Sequence, residues 1–175
     1  MDAFKLTKAD IRRLFELLDA ELAEEEVEGE LYLVGGAVMC LALDAREATR
    51  DVDAFFRPAK LIREAARRVA ARAGVPDSWL NDAVKSYLGA RGEYDPYLDL
   101  DNLRVFVARP EYLLAMKCAA MRLGEEFRDL DDVRFLLRYL DVSSVEEALG
   151  IVLRYFDEKD LLPKTRLALE ELLPE

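Results

Sequence analysis

Two aspartates two positions apart are the residues in this sequence best suited to chemistry. Asp51 and Asp53 flank Val52 in the apolar stretch that ends at Phe56. Side chains of a strand alternate between its faces, so this spacing places both carboxylates on one face. Two such carboxylates repel each other and lose hydration when buried, so we expect a compensating positive charge. A divalent cation bound by carboxylate oxygens is the first candidate.

A pair of glycines precedes the aspartates by about one short helix. Gly35 and Gly36 follow the apolar residues 31–34, at a predicted strand-to-helix turn. Glycine lets a ligand approach the backbone closely, and the N–H groups at the start of a helix bind phosphate well. Thr49 and Arg50, just before the aspartates, could hydrogen-bond phosphate or orient the carboxylates. A phosphate cradle beside a metal-binding pair is what transfer of a nucleotide from an NTP needs.

A purely structural explanation stays open for each motif. A strand-to-helix turn often needs glycine for steric reasons alone. The two aspartates could equally belong to a polar edge strand. Only the order of the motifs, with one helix between them, favours a functional site.

The composition restricts the chemistry that such a site can perform. The chain has no histidine, which excludes Ser-His and Cys-His catalysis and His-ligated zinc, and leaves carboxylate, lysine and metal chemistry. The net charge of −11 argues against non-specific binding to nucleic-acid backbone, although the 25 lysines and arginines could form a local basic groove. Cys40 and Cys118 lie in apolar helical stretches and are expected to be buried hydrophobes in a reducing compartment.

The elements around these residues form an α+β (mixed α/β) pattern. Helical periodicity predicts an N-terminal helix with Thr7 as its N-cap, and a helix over residues 59–73 that Gly74 ends. Residues 103–108 predict a strand, whereas the acidic stretch around Pro96 predicts a surface loop.

The rest of the chain predicts helices. They begin at Pro110, near residue 127, after Ser144 and at Pro163. We therefore expect a small mixed sheet in a core over residues 1–110 and a helical part over residues 111–175. The 52% apolar content is enough for a hydrophobic core.

The sequence also bears on location. It contains no apolar run of about 18 residues, so we expect no transmembrane helix and no membrane partner. The N-terminal residues predict a helix and not a signal peptide. A cytoplasmic protein is expected.

Two segments resemble the nucleotidyltransferase-fold superfamily. The stretch VGGAVMCLAL with REATRDVDAFF is similar to its first motif, a Gly-Gly or Gly-Ser turn followed by an Asp-x-Asp strand. The stretch RPEYLLAMKCAAMRLGEEFRDLDDVRFLL is similar to a segment of AbiEii-type nucleotidyltransferases, toxins of bacterial toxin–antitoxin systems. The tetrapeptide WLND resembles uncharacterised bacterial proteins of that superfamily. The resemblance covers roughly residues 31–137.

The resemblance implies a role for each matching residue. Gly35 and Gly36 would hold the phosphates of an NTP, and Asp51 and Asp53 would bind Mg²⁺ or Mn²⁺. Lys117, which interrupts an apolar run, would contact phosphate and neutralise developing charge. Two further acidic residues would complete the pocket by orienting that lysine or by contacting nucleotide or metal: Asp129 and Asp132.

The sequence departs from the superfamily at one point. Active members have a third metal carboxylate on a later strand, and LRVFVA contains no acid. Glu111 just after this strand is the preferred candidate, with Asp99 and Asp101 before it as alternatives.

The implied function is metal-dependent transfer of an NMP from an NTP to an RNA, protein or small-molecule acceptor, as in a toxin restrained by an antitoxin protein. The alternative is a catalytically degenerate relative that binds a nucleotide or a partner without turnover. A third possibility is a structural adaptor that binds partners through its C-terminal helices.

Overall fold

The structure is a computed structural model that describes residues 4–82, 91–120 and 128–173, without the side chains of residues 128 and 129. The chain forms two compact units. The first comprises Met1–Ser86 and Tyr94–Ala108, and the second comprises Tyr87–Glu93 and Arg109–Glu175.

The first unit is built on a mixed five-stranded sheet, whose strands are β2 Gly29–Val34, β4 Val52–Arg57, β5 Leu80–Asn81, β6 Tyr94–Asp99 and β7 Leu103–Ala108. Their order in the sheet is β5-β4-β2-β7-β6. The central strand β2 pairs antiparallel with β4 and parallel with β7, while β5 and β6 form the edges. The sequence did not predict a second, two-stranded sheet, in which β1 (Leu6–Thr7) pairs with β3 (Ala48–Thr49).

The described part of the first unit contains the α-helices α1 Lys8–Glu24, α2 Gly36–Leu41 and α3 Ala59–Ala73. The predicted N-cap of α1 is confirmed, because the Thr7 hydroxyl accepts from the Asp10 N–H and the Asp10 carboxylate accepts from the Thr7 N–H. Helix α3 ends as predicted at Gly74, which adopts a φ of 71°. Glycine adopts this left-handed conformation without steric cost.

The core of this unit lies on one face of the sheet, where α1 and α3 pack. Alternate strand residues point into it, and they are Leu31, Leu33, Val52, Ala54, Phe56, Leu103, Val105 and Val107. The two helices are joined by Glu21 of α1, which is only 5% exposed and accepts hydrogen bonds from Arg68 and Arg72 of α3. The hydrogen bonds from these arginines lower the pKa of Glu21.

The predicted surface loop around Pro96 is wrong, because this segment is strand β6. Among the described strands it lies at the edge of the sheet and pairs only with β7, with an irregular register between Pro96 and Leu98. Proline lacks an N–H donor and is tolerated at edges and bulges. Two of the acidic residues that suggested a loop, Asp95 and Asp99, are exposed residues of this edge strand.

The second unit is helical in its described part. Its helices are α4 Pro110–Ala119, α5 Arg128–Tyr139, α6 Val145–Tyr155 and α7 Pro163–Leu172. Helix α4 packs against α5 and α6, and the Thr165 hydroxyl of α7 donates to the carbonyl of Cys118 at 3.0 Å. Ser144 caps α6 by accepting from the Glu147 N–H. The sequence predicts that the helix beginning at Pro110 stops near Gly124, a position that lies outside the described residues.

The predicted fold class is confirmed at the level of a mixed α+β protein with a small mixed sheet. No helix in the described ranges is long and apolar enough to cross a membrane.

Candidate functional site

The glycine turn and the aspartates meet where β2 and β4 are paired. Gly35 has φ 68° and ψ −148°, which favours glycine, and it forms the N-cap of α2. Val34 lies opposite Asp53 in the antiparallel register. A Cβ atom on Gly35 would lie 3.2 Å from Asp53 Oδ2. The carboxylate of Asp53 is therefore positioned against the backbone of the turn.

Asp51 immediately precedes β4, and Asp53 lies within it. Val52 between them is fully buried in the core, so both aspartates belong to the opposite face of the strand, and both are half-buried. Burial raises the pKa of Asp51, and the charge of Asp53 raises it further, while Arg50 opposes the shift. A cation held by the two carboxylates would relieve both of these effects.

The guanidinium group of Arg46, in the loop between α2 and β3, lies over Gly36. A Cβ atom on Gly36 would lie 2.8 Å from Arg46 Nη1 and 3.0 Å from Thr49 Oγ1. Arg46 is not among the site residues predicted from the sequence. Its signal was an arginine between the glycine pair and the aspartates, in a loop that must return toward the turn.

Thr49 and Arg50 have different surroundings. Thr49 is buried, and its hydroxyl donates to the carbonyl of Asp51 at 3.2 Å. It therefore fixes the backbone that carries the first aspartate. Arg50 is exposed and acts on Asp51 through its charge.

The WLND tetrapeptide borders the same strand. The Trp79 ring is buried and its Nε1 donates to the Ala66 carbonyl of α3 at 2.9 Å. This anchor is followed by β5, in which Asn81 pairs with Asp53. Arg63 of α3 binds Asp82 at 2.6 Å. The tetrapeptide thus adds an edge strand beside the aspartates.

Lys117 and Asp132 form an ion pair within the second unit. Lys117 Nζ lies 2.9 Å from Asp132 Oδ2, and their side chains are 15% and 6% exposed. The pair joins α4 to α5, so the structure brings these two predicted residues together. The side chain of Asp129, also in α5, lies outside the described part of the chain.

Glu111, the preferred third carboxylate, lies in the first turn of α4. Its Oε2 atom is buried and has no hydrogen-bond partner among the described residues. Its charge acts on Tyr155, whose pKa is raised to about 12 by burial and by a hydrogen bond to Glu93. Glu111 therefore belongs to a polar cluster of the second unit.

The alternatives Asp99 and Asp101 lie at the other end of the sheet from Asp53. Asp99 pairs with Arg104, which lies beside Glu30, whereas Asp53 lies beside Val34. Glu30 and Val34 are four positions apart along β2, a distance of roughly 13 Å. The register therefore keeps both alternatives away from the aspartate pair.

The donor set at Asp51 and Asp53 fits magnesium. In the ranges that the structure describes, no group of three or more metal-ligating side chains is arranged around one point. Mg²⁺ keeps several water ligands and is usually bound through one or two carboxylates together with substrate phosphates. The number of carboxylates at Asp51 and Asp53 is compatible with this mode of binding.

Comparisons of this chain with protein-family models, curated proteins and solved structures find no match. The resemblance to nucleotidyltransferases stays a prediction.

Proposed function

We propose that this chain is a metal-dependent nucleotidyltransferase that moves an NMP from an NTP to an acceptor hydroxyl. The observation that carries the proposal is the position of the Asp53 carboxylate against the Gly35 turn, with Asp51 on the same face. This arrangement supports binding of a triphosphate and a cation side by side.

Asp51 and Asp53 are the residues that would hold Mg²⁺ or Mn²⁺. The ion, when bound, supplies charge neutralisation of the triphosphate and a lowered pKa of the attacking hydroxyl. The two carboxylates repel each other. A cation bound between them would relieve this repulsion and favour the charged form of both.

Arg46 and the glycine pair would receive the phosphates. The guanidinium presents several N–H donors in a planar fork that matches phosphate oxygens. Neither glycine has a side chain to obstruct a ligand that approaches the turn. Attack of the acceptor hydroxyl on the α-phosphorus, with pyrophosphate leaving, then transfers the NMP.

The acceptor class stays open between a tRNA 3′ end, a protein hydroxyl and a small molecule. The net charge of −11 favours an acceptor other than long nucleic acid. Restraint by an antitoxin protein is part of the same proposal.

A second candidate is nucleotide binding without turnover. It is favoured by the two-carboxylate donor set and by the ion pair that Lys117 makes with Asp132. Lys117 is then a structural residue of the second unit.

The deciding experiment incubates the protein with each α-labelled NTP, Mg²⁺ or Mn²⁺, and total bacterial RNA or protein. We expect label transfer by the wild type and none by the double variant Asp51→Asn/Asp53→Asn. Asp101→Asn, which changes an exposed carboxylate, should transfer label like the wild type. Metal-dependent NTP binding without transfer would favour the second candidate. If the wild type shows no label transfer and no NTP binding, both candidate functions are rejected.

A further inference from the structure

Aromatic side chains cross the face of the sheet opposite α1 and α3. In the register, Phe55 of β4 pairs with Tyr32 of β2, and Tyr32 pairs with Phe106 of β7. We refer to these three residues as the aromatic row. Asp53 lies two residues before Phe55 on β4, so its side chain shares this face.

The rings of the aromatic row are in contact. The Tyr32 and Phe106 rings stack at 4.9 Å with an interplanar angle of 9°, and the Phe55 ring lies 5.9 Å from Tyr32 at 46°. Tyr94 of β6 adds an edge contact to Tyr32 at 5.1 Å. All of these rings are half-buried, so each keeps part of its surface accessible to a ligand.

Charged groups hold the centre of the row in place. The Tyr32 hydroxyl donates to the Glu30 carboxylate and accepts from Arg57 Nη2 at 2.8 Å. The Arg57 guanidinium also lies 5.3 Å from the centroid of the Tyr32 ring. The ring is therefore fixed before any ligand arrives, which reduces the entropy lost on binding.

The aromatic row lies at the distance from the aspartates that a nucleotide requires. Neighbouring side chains on one face of a strand are about 7 Å apart along its axis. The ribose of a nucleotide separates the α-phosphate from the base by a comparable length. A nucleotide whose phosphates lie at the Gly35 turn, beside Asp53, can therefore reach Phe55 and Tyr32 with its base.

We propose that the aromatic row binds the nucleobase of the NTP whose phosphates lie at the glycine pair and Arg46, beside the cation held by Asp51 and Asp53; this inference rests on the proposed function. Stacking on aromatic rings accepts any base, because every base has a π-face. Beyond the rings, Glu30 offers an acceptor and Arg57 a donor to the edge of the base.

The test measures equilibrium binding of ATP, GTP, CTP and UTP, and of inorganic tripolyphosphate, each with Mg²⁺. We expect Phe55→Leu and Phe106→Leu to weaken NTP binding roughly ten-fold and to leave tripolyphosphate binding unchanged. Phe135→Leu is the matched control, because Phe135 is a half-buried, stacked ring of α5 in the second unit. It should bind both ligands like the wild type. Thermal melts first show that each variant is folded.

The outcomes separate the two proposals. NTP binding that is unchanged in both variants, or a parallel loss of tripolyphosphate binding, overturns the role of the aromatic row. Wild-type protein that binds tripolyphosphate as tightly as NTP overturns it too and leaves the phosphate site intact. Binding of neither ligand by the wild type rejects the proposed function, and this inference with it.

Discussion

The surroundings of Asp51 in the folded protein disfavour the charged form of its side chain. Its carboxylate is partly buried beside a second carboxylate, and both effects raise its pKa. Such an arrangement costs folding free energy at neutral pH, because the folded state disfavours the charged carboxylate. The residue therefore supplies a test that does not depend on knowing the acceptor.

Without added metal, Asp51→Asn is expected to be more stable than the wild type at pH 7. A carboxyl group with a raised pKa in the folded state contributes stability at low pH, and this contribution is lost as the pH rises through the folded value. The gain in melting temperature, of a few degrees, should shrink as the pH falls toward the ordinary Asp value of 3.8. Melting curves recorded from about pH 8 down to about pH 4.5 measure how this gain changes with pH.

Asp101→Asn provides the control for this prediction, since it changes an exposed carboxylate at the other end of the sheet. It should show no gain that grows with pH. A lower melting temperature for Asp51→Asn at pH 7 would contradict the prediction and indicate that the protein itself compensates the charge.

The sequence predicted the aspartate pair and the glycine turn correctly as local geometry. The alternation of side chains along β4 and the need for glycine at Gly35 depend only on nearby residues. Arg46 was missed because the position of its long side chain over Gly36 depends on the path of a loop. The sequence predicted Lys117 and its partner as site residues. It could not predict the contact between them, since α4 and α5 are separate elements.

At the scale of elements, α4 and α5 are joined by a buried ion pair. Removal of one partner leaves an uncompensated buried charge, which typically costs about 3–5 kcal/mol. We expect a loss of this size for Asp132→Ala, and a much smaller loss for the double variant Lys117→Met/Asp132→Leu, measured by denaturant unfolding. The exposures of 15% and 6% justify treating the pair as buried.

The double variant also tests whether the pair is needed for catalysis. Label transfer that survives in a stable double variant would assign the pair a structural role alone. A cost below about 1 kcal/mol for Asp132→Ala would instead place the pair among ordinary surface ion pairs.

Elements with strong periodicity were predictable, and β6 was not. Helices α1 and α3 each carry an apolar face, and the predicted N-cap of α1 at Thr7 and the predicted end of α3 at Gly74 agree with the structure. Strand β6 is stabilised by pairing with β7 and not by its own composition, which contains Pro96 and two aspartates. Its tertiary partner overrides its local preference.

For the whole molecule, the net charge of −11 predicts a response to salt. Like charges destabilise a compact chain, and added salt screens them, since the Debye length falls from about 30 Å at 0.01 M to about 10 Å at 0.1 M. The melting temperature should therefore rise over this range at pH 7. A fall would show that surface ion pairs such as Arg166 with Glu146 outweigh the net repulsion.

The pairing of β2 with β7 has a consequence for synthesis on the ribosome. Strand β2 can pair with β4 once residue 57 has emerged, but its other edge stays unpaired until Leu103–Ala108 follows. At about 5–20 residues per second, this interval lasts roughly 3–10 s. During that time the nascent chain exposes the central strand of its own sheet to any neighbouring polypeptide. Slow translation between residues 57 and 108 would therefore favour aggregation or capture by a chaperone.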